Sequence, residues 1–143
     1  MITREQYFTK PRSERQDAHA DELLGKVNAL LVEFRQATGE PEYIDPDTDT
    51  EISGEQGGDG DGGFRTPGSI TGALGSSHRQ AQGIDPYDPK NKIDDWLNTF
   101  ETPGGGNTKL EEYGLFREHG SKTTGWVHLS TKAPGSGKRT FYP

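Results

Sequence analysis

The longest regular pattern of apolar and polar positions in the chain covers residues 17–38. Apolar side chains recur there at spacings of three and four: Leu23, Leu24, Val27, Leu30, Leu31 and Phe34. This spacing predicts an amphipathic helix that turns one apolar stripe toward the core. Asp17 can cap its N-terminus and Gly39 can end it, and His19 in its first turns is expected to be solvated.

The other periodic stretches are shorter. "KIDDWLNTFE" (92–101) places its apolar residues at helical spacing and is followed by the breaker "TPGGGN", so a second helix is predicted. "EEYGLFRE" (111–118) and "TGWVHLST" (124–131) predict two short strands around the turn "HGSKTT", and "EYI" (42–44) predicts another strand. Helices followed by strands, without alternation of strand and helix, predict an α+β fold.

Residues 45–63, "DPDTDTEISGEQGGDGDGG", interrupt these patterns. Ile52 is their only large apolar side chain, so the segment is predicted to lie outside the core as a Gly/Asp-rich insertion. Three aspartates occupy positions one, three and five of an EF-hand-like loop: Asp45, Asp47 and Asp49. Thr50 and Gln56 stand where such a loop needs Gly and a bidentate Glu, so a solvated acidic insertion is favoured over a weak Ca²⁺ site.

Composition limits the kind of domain that these elements form. The chain of 143 residues is 27% hydrophobic and contains 20 glycines and 9 prolines, which predicts a single domain over 1–143 with a small core. Its formal charge of −7 argues against nucleic acid as a partner. No apolar run approaches the roughly 18 residues that span a membrane. No apolar stretch follows the basic N-terminal residues as in a signal peptide, so neither a membrane anchor nor signal-directed export is predicted.

The candidate chemistry involves histidines and carboxylates, because the chain has no Cys and only 4 His. In "SSHRQAQGIDPYD", His78 and Asp85 have a spacing that suits two ligands of one metal ion. In "GWVHLST", alternation puts His128 on the face opposite Val127 and Leu129, and directs it into a cleft if those two residues are in the core. Two nitrogen ligands, one oxygen ligand and a fourth position for water make up an open, hydrolytic zinc site.

These motifs resemble those of the zinc D-alanyl-D-alanine carboxypeptidases and the phage L-alanyl-D-glutamate endopeptidases, which cut peptidoglycan peptides. In that family, a segment Ser-x-His-x-x-Gly-x-Ala-x-Asp supplies two zinc ligands and a late strand ending in x-His supplies the third. Ser76, His78, Asp85 and His128 match these positions. The resemblance covers most of the chain and implies a Hedgehog/D-Ala-D-Ala-peptidase-like fold, in which helices flank a small antiparallel sheet.

The resemblance also implies roles for residues around the metal. "GGFRTPG" matches the family's "SGYR" turn, which puts the substrate-binding arginine at Arg65. Many members carry an acidic or histidine base within three residues of the last ligand, where this chain has Gly125 and Trp126. Glu118, on the predicted partner strand, is the candidate base, because the attacking water needs a nearby proton acceptor. His119 is the weaker candidate, since adjacent residues of a strand point to opposite faces.

Two functional hypotheses follow from the resemblance. The first is a phage-encoded, endolysin-like zinc metallopeptidase that acts on peptidoglycan peptides. The second is a non-catalytic or weakly catalytic virion component of the tail or particle, which retains the peptidase fold and contacts other phage structural proteins. The expected location is the host cytoplasm before release, or the virion. Ala81 and Gly83 exchange the motif's Gly and Ala, but both are small, so the turn between the ligands can still form.

Overall fold

The computed structural model describes residues 1–8, 13–54, 63–64 and 77–142. Within these ranges the α-helices are α1 (Arg4–Tyr7), α2 (Glu14–Thr38), α3 (Lys92–Asn98) and α4 (Thr108–Tyr113), and 3-10 turns lie at Ser77–Gln80 and Gly120–Lys122. The strands are β1 (Gly83–Ile84), β2 (Glu101–Thr102), β3 (Gly106–Asn107), β4 (Phe116–Glu118), β5 (Leu129–Ser130) and β6 (Thr140–Phe141). The α+β class predicted from the sequence is therefore confirmed. None of the described helices is long and apolar enough to cross a membrane.

Helix α2 supplies one side of the core through the predicted apolar stripe, all of which is buried. The helix begins before the predicted Asp17, because Ser13 and Gln16 form a capping box. The Ser13 hydroxyl accepts the Gln16 N–H, and the Gln16 side chain accepts the Ser13 N–H. Gly39 ends the helix as predicted, in the left-handed conformation with a φ of 75°.

The central sheet contains four strands in the order β1-β5-β4-β6. β5 runs antiparallel to β1 and β4, whereas β6 runs parallel to β4. The expected antiparallel sheet is therefore mixed, because residues 131–139 reverse the chain after β5 and return β6 along the far edge of β4. β2 and β3 form a separate antiparallel pair.

The predicted hairpin is confirmed in its pairing and corrected in its bounds. β4 and β5 pair antiparallel, with Arg117 opposite Leu129. Residues 111–113, predicted as strand, belong to α4 instead, because the Asn107 side chain accepts two N–H groups of that helix's first turn. No strand forms at the predicted 42–44.

In the first part of the predicted insertion, residues 45–54, the chain does not stay outside the core, because residues 51–53 are buried. Ile52 is 2% exposed and pairs with Pro86 in an antiparallel bridge. The Ser53 N–H donates to the Asp85 carbonyl at 2.8 Å, so this stretch extends the sheet beyond β1. The prediction of an excursion is wrong for these residues, because the edge of β1 needs hydrogen-bond partners.

The aspartates of this stretch do not converge as a calcium site requires. The Asp45 carboxylate accepts the backbone N–H groups of Asp47 and Gly54, each at 2.8 Å, and so closes the local turn. Asp49 is in the left-handed conformation, with a φ of 57°. Among the described residues, the group of converging ligand atoms includes none of these aspartates. The carboxylate of Asp45 is therefore engaged in a structural role.

Helix α3 is shorter than the predicted "KIDDWLNTFE" but makes the expected core contacts. Ile93 and Leu97 are buried. The ring of Trp96 lies edge-on against Phe34 of α2, with ring centroids 5.5 Å apart. The buried carboxylate of Asp88 accepts two N–H groups of the first turn of α3, each at 3.1 Å, which fixes where the helix begins.

Candidate metal centre

Strand register brings two of the predicted ligands to adjacent positions on one face of the sheet. Ile84 of β1 stands opposite Leu129 of β5, and an isolated bridge beyond β1 continues the same register. Asp85 therefore stands opposite His128, and opposite residues of antiparallel strands point to the same face. Val127 and Leu129 are fully buried, which confirms the predicted alternation around His128.

The same register argument places Glu118 on the other side of His128. The pairing of β4 with β5 continues by one residue, and the Glu118 N–H donates to the His128 carbonyl at 3.3 Å. Asp85, His128 and Glu118 thus form a row across three neighbouring strands, on one face of the sheet. Phe141 of β6 stands beside Glu118 and extends this row, with its ring centroid 6.3 Å from that of His128.

His78 approaches the row from the 3-10 turn that precedes β1. After this turn, Ala81 takes a φ of 57°, which redirects the chain into the strand that carries Asp85. The left-handed conformation favours glycine, and glycine is the usual residue at this position of the family motif that residues 76–85 resemble. In this chain a fully buried alanine adopts the same conformation.

The ligand atoms of the three residues converge. His78 Nε2 lies 3.2 Å from Asp85 Oδ1 and 3.3 Å from His128 Nδ1. His128 Nδ1 lies 2.7 Å from the same Asp85 oxygen. Ligand atoms at about 2.0–2.1 Å from a tetrahedral zinc ion are about 3.3–3.4 Å apart. Two separations are already within about 0.2 Å of this value, and lengthening the third by about 0.6 Å would complete three corners of the tetrahedron.

The hydrogen bonding of the imidazoles also fits a bound cation. His78 Nδ1 lies 2.8 Å from the Gly63 carbonyl oxygen, which can only accept. In the neutral ring Nδ1 therefore carries the proton, and Nε2 presents its lone pair to the cluster. The Asp85 oxygen is an acceptor as well. A single proton on His128 Nδ1 cannot satisfy both His78 Nε2 and Asp85 Oδ1 well. A metal ion would satisfy all three atoms, because each of them would act as its ligand.

Electrostatics distinguish the two carboxyls of the row. Burial raises the pKa of Asp85, but electrostatic interactions and hydrogen bonds with His78 and His128 outweigh burial and hold the pKa below its usual range. Asp85 is therefore ionised, as a zinc ligand must be. Burial raises the pKa of the half-buried Glu118, and Asp85 adds to the rise while His128 opposes it. Such a carboxyl is suited to proton transfer nearer to neutral pH.

Other residues predicted from the resemblance have different outcomes. Arg65 and Ser76 lie outside the described residues. His119 caps the turn at Gly120–Lys122, where its Nδ1 accepts the Ser121 N–H at 3.1 Å. Its ring stacks on Tyr142, with centroids 4.5 Å apart. The described contacts of His119 therefore serve this turn and do not join it to the three converging ligand atoms.

Sequence reasoning missed the contacts that support the ligands. His19 was expected to be solvated, but its Nδ1 lies 2.8 Å from the carbonyl of Gln80, in the turn that carries His78. The Gly63 carbonyl that orients the His78 ring has no sequence signal, because any residue supplies a carbonyl. Tyr7 contacts Gly83, two residues before Asp85, and Phe64, next to the carbonyl that orients His78, but it carried only the signal of an aromatic residue near the N-terminus.

No protein-family model, no curated protein and no solved structure matches the chain. The functional assignment therefore depends on the geometry and chemistry of the site itself.

Proposed function

We propose that this chain is a phage-encoded, zinc-dependent hydrolase that cuts peptide bonds in the stem peptides of bacterial peptidoglycan. The observation that carries the proposal is the convergence of His78, Asp85 and His128 beside Glu118, a carboxyl with a raised pKa. The motif resemblance supports peptidoglycan peptides as the substrate class and a Hedgehog/D-Ala-D-Ala-peptidase-like arrangement of the fold.

The residues present can divide the chemistry of hydrolysis among them. His78, Asp85 and His128 would hold a zinc ion, which when bound would supply Lewis acidity to polarise the scissile carbonyl and lower the pKa of water. Glu118 accepts the proton of the attacking water and passes it to the departing amine. Its position opposite His128 puts the carboxyl on the face where the ligands converge. By resemblance, Arg65 binds a carboxylate or carbonyl of the stem peptide.

A second function is favoured by one observation, the absence of a base just before His128. Gly125 occupies that place with a φ of 93°, and its N–H donates to the Asn91 side chain at 3.1 Å. This position therefore has a role in the turn and no group that can accept a proton from water. Without a contribution from Glu118, the chain would be a virion component that keeps the peptidase fold and contacts other phage structural proteins.

Turnover of purified peptidoglycan separates the two functions. Zinc-loaded protein is incubated with walls of several cross-link chemotypes, and new amino groups and fragment masses are measured. We expect cleavage of a stem-peptide bond that stops when the metal is chelated and returns when zinc is added. Full zinc occupancy without cleavage of any chemotype contradicts the hydrolase and supports the virion component. Zinc content alone does not distinguish them, because an inactive relative can still bind metal.

A further inference from the structure

We infer that Tyr7 is a positioning residue for the metal centre. Tyr7, Phe8 and Phe64 form a buried aromatic group, termed here the aromatic anchor, which connects the segment that orients His78 to the strand that leads to Asp85. This inference rests on the metal-binding part of the proposed function. It does not require that the chain hydrolyses a peptide.

The first connection runs from Tyr7 to the strand before Asp85. The Tyr7 ring is fully buried, and its hydroxyl donates to the Gly83 carbonyl at 2.7 Å. Gly83 is the first residue of β1 and pairs with Ser130 of β5. Because Asp85 directly follows β1, two residues after Gly83, the hydroxyl fixes the backbone from which the carboxylate ligand projects.

The second connection runs from Tyr7 to the group that orients His78. The Phe64 N–H donates to the Tyr7 carbonyl at 3.1 Å. The preceding Gly63 carbonyl lies 2.8 Å from His78 Nδ1. The ring of Phe8 packs edge-on against both partners, with centroids 5.1 Å from Tyr7 and 5.1 Å from Phe64. The aromatic anchor therefore holds the carbonyl that sets the direction of the His78 ring.

The consequence for metal binding follows from the way that ligand rings are held. The partner of the second ring nitrogen fixes the tautomer and orientation of a ligating histidine, and loss of such support weakens metal binding. One residue here contacts both parts of the site: the backbone carbonyl of Tyr7 accepts the Phe64 N–H, and its hydroxyl donates to the Gly83 carbonyl. Removing only its hydroxyl leaves the ring packing and the Phe64 bond, but it takes a donor from a buried carbonyl. The separation between the two ligands is then less tightly defined.

The test compares Tyr7→Phe with Tyr113→Phe as a matched control. Tyr113 also donates a hydroxyl hydrogen bond, to Glu33 at 2.7 Å, but it connects α4 to α2. Zinc dissociation constants are measured by competition with a chromophoric chelator, at a temperature where circular dichroism shows both metal-free variants to be folded. We expect Tyr7→Phe to weaken zinc binding about 10-fold and to alter the visible spectrum of the Co²⁺-substituted protein. Tyr113→Phe should leave both measurements unchanged.

Equal zinc affinity and equal Co²⁺ spectra for wild type and Tyr7→Phe would overturn the inference. If Tyr7→Phe does not fold, Phe8→Leu loosens the same aromatic anchor, and unchanged affinity in that variant has the same meaning. A wild type that binds zinc but cleaves nothing overturns the hydrolase alone, and the affinity comparison still decides the role of Tyr7. A wild type that binds no zinc overturns both proposals.

Discussion

Glu118 and His128 occupy opposite positions on neighbouring strands, yet their proposed tasks are separable. His128 supplies one of three converging ligand atoms, and two protein ligands do not sustain an open tetrahedral zinc site. Glu118 supplies none of those atoms and is proposed to act only in proton transfer. Substitutions at the two positions should therefore affect metal binding and hydrolysis differently.

Glu118→Gln keeps the size of the side chain but removes the proton acceptor. We expect zinc to remain bound while hydrolysis of peptidoglycan falls by about 10² to 10⁴. His128→Ala should lose both zinc and activity. Glu22→Gln, at an exposed position of α2 paired with Lys26, is the control and should change neither. Equal hydrolysis by wild type and Glu118→Gln would move the base elsewhere, with His119 the next residue to test.

Substitutions of Ala81 test the left-handed conformation of the turn between His78 and Asp85. Replacement by Gly relieves about 1–2 kcal/mol of left-handed strain and loses similar amounts of methyl burial and backbone order. We therefore expect the free energy of unfolding of Ala81→Gly to lie within about 1 kcal/mol of the wild-type value, and we expect the variant to retain zinc. Ala81→Val places a β-branched side chain at a buried, left-handed position and should cost more than about 2 kcal/mol. Denaturant unfolding and zinc titration measure both, and equal stability of the two variants would contradict a left-handed Ala81.

At the scale of elements, features set by neighbours in the sequence were predictable and features set by distant pairing were not. Side-chain alternation is local, so the face of His128 followed from the burial of its neighbours. The start of α2 was predicted at Asp17, four residues after the actual cap, because the reciprocal bonds of Ser13 and Gln16 that begin the helix lie before the apolar pattern. Nothing local indicated that β6 would run parallel to β4, or that residues 51–53 would extend the sheet.

Substitution of Ile52 tests whether the sheet extends beyond β1. Its side chain is 2% exposed, whereas Ile44, eight residues earlier, is 45% exposed. Truncation of a buried isoleucine removes apolar contacts and leaves a cavity, so Ile52→Ala should lower the free energy of unfolding by about 2–5 kcal/mol. Ile44→Ala is the matched control and should change it by less than about 0.5 kcal/mol. Both free energies are measured by chemical denaturation. If both substitutions change the free energy of unfolding by similar small amounts, residues 51–53 lie outside the core.

At the scale of the whole molecule, the two faces of the sheet have different electrostatic tasks. One face presents the proposed metal ligands, and the other contains the fully buried guanidinium of Arg117. Arg117 contacts the Asp94 carboxylate at 3.2 Å and the Asn98 side chain at 2.8 Å, and it also pairs closely with Glu101. Buried ionic groups of this kind make the stability of a small domain dependent on pH.

Asp94 sets the direction of that dependence. Burial raises the pKa of Asp94 to about 7; Arg117 opposes this rise and Asp88 adds to it. Attraction to Arg117 and the hydrogen bonds from Arg117 and Thr123 lower the pKa of Asp94, but together they do not outweigh burial. Since an ordinary Asp has a pKa of about 3.9, the folded chain keeps a proton that the unfolded chain releases above that pH. The stabilising contribution is therefore full below about pH 4 and is lost as the pH rises to about 7.

Asp94→Asn resembles the protonated carboxyl at every pH, so it isolates this contribution. Denaturant titration gives the free energy of unfolding of wild type and of the variant at each pH. We expect the difference, wild type minus variant, to fall between about pH 4 and 7, with a slope of at most about 1.4 kcal/mol per pH unit. Above that range the difference should be constant. Asp95→Asn, at an exposed position of the same helix, should show no such slope. A wild type that gains stability over Asp94→Asn as the pH rises would show instead that Asp94 is ionised and that its attraction to Arg117 outweighs burial.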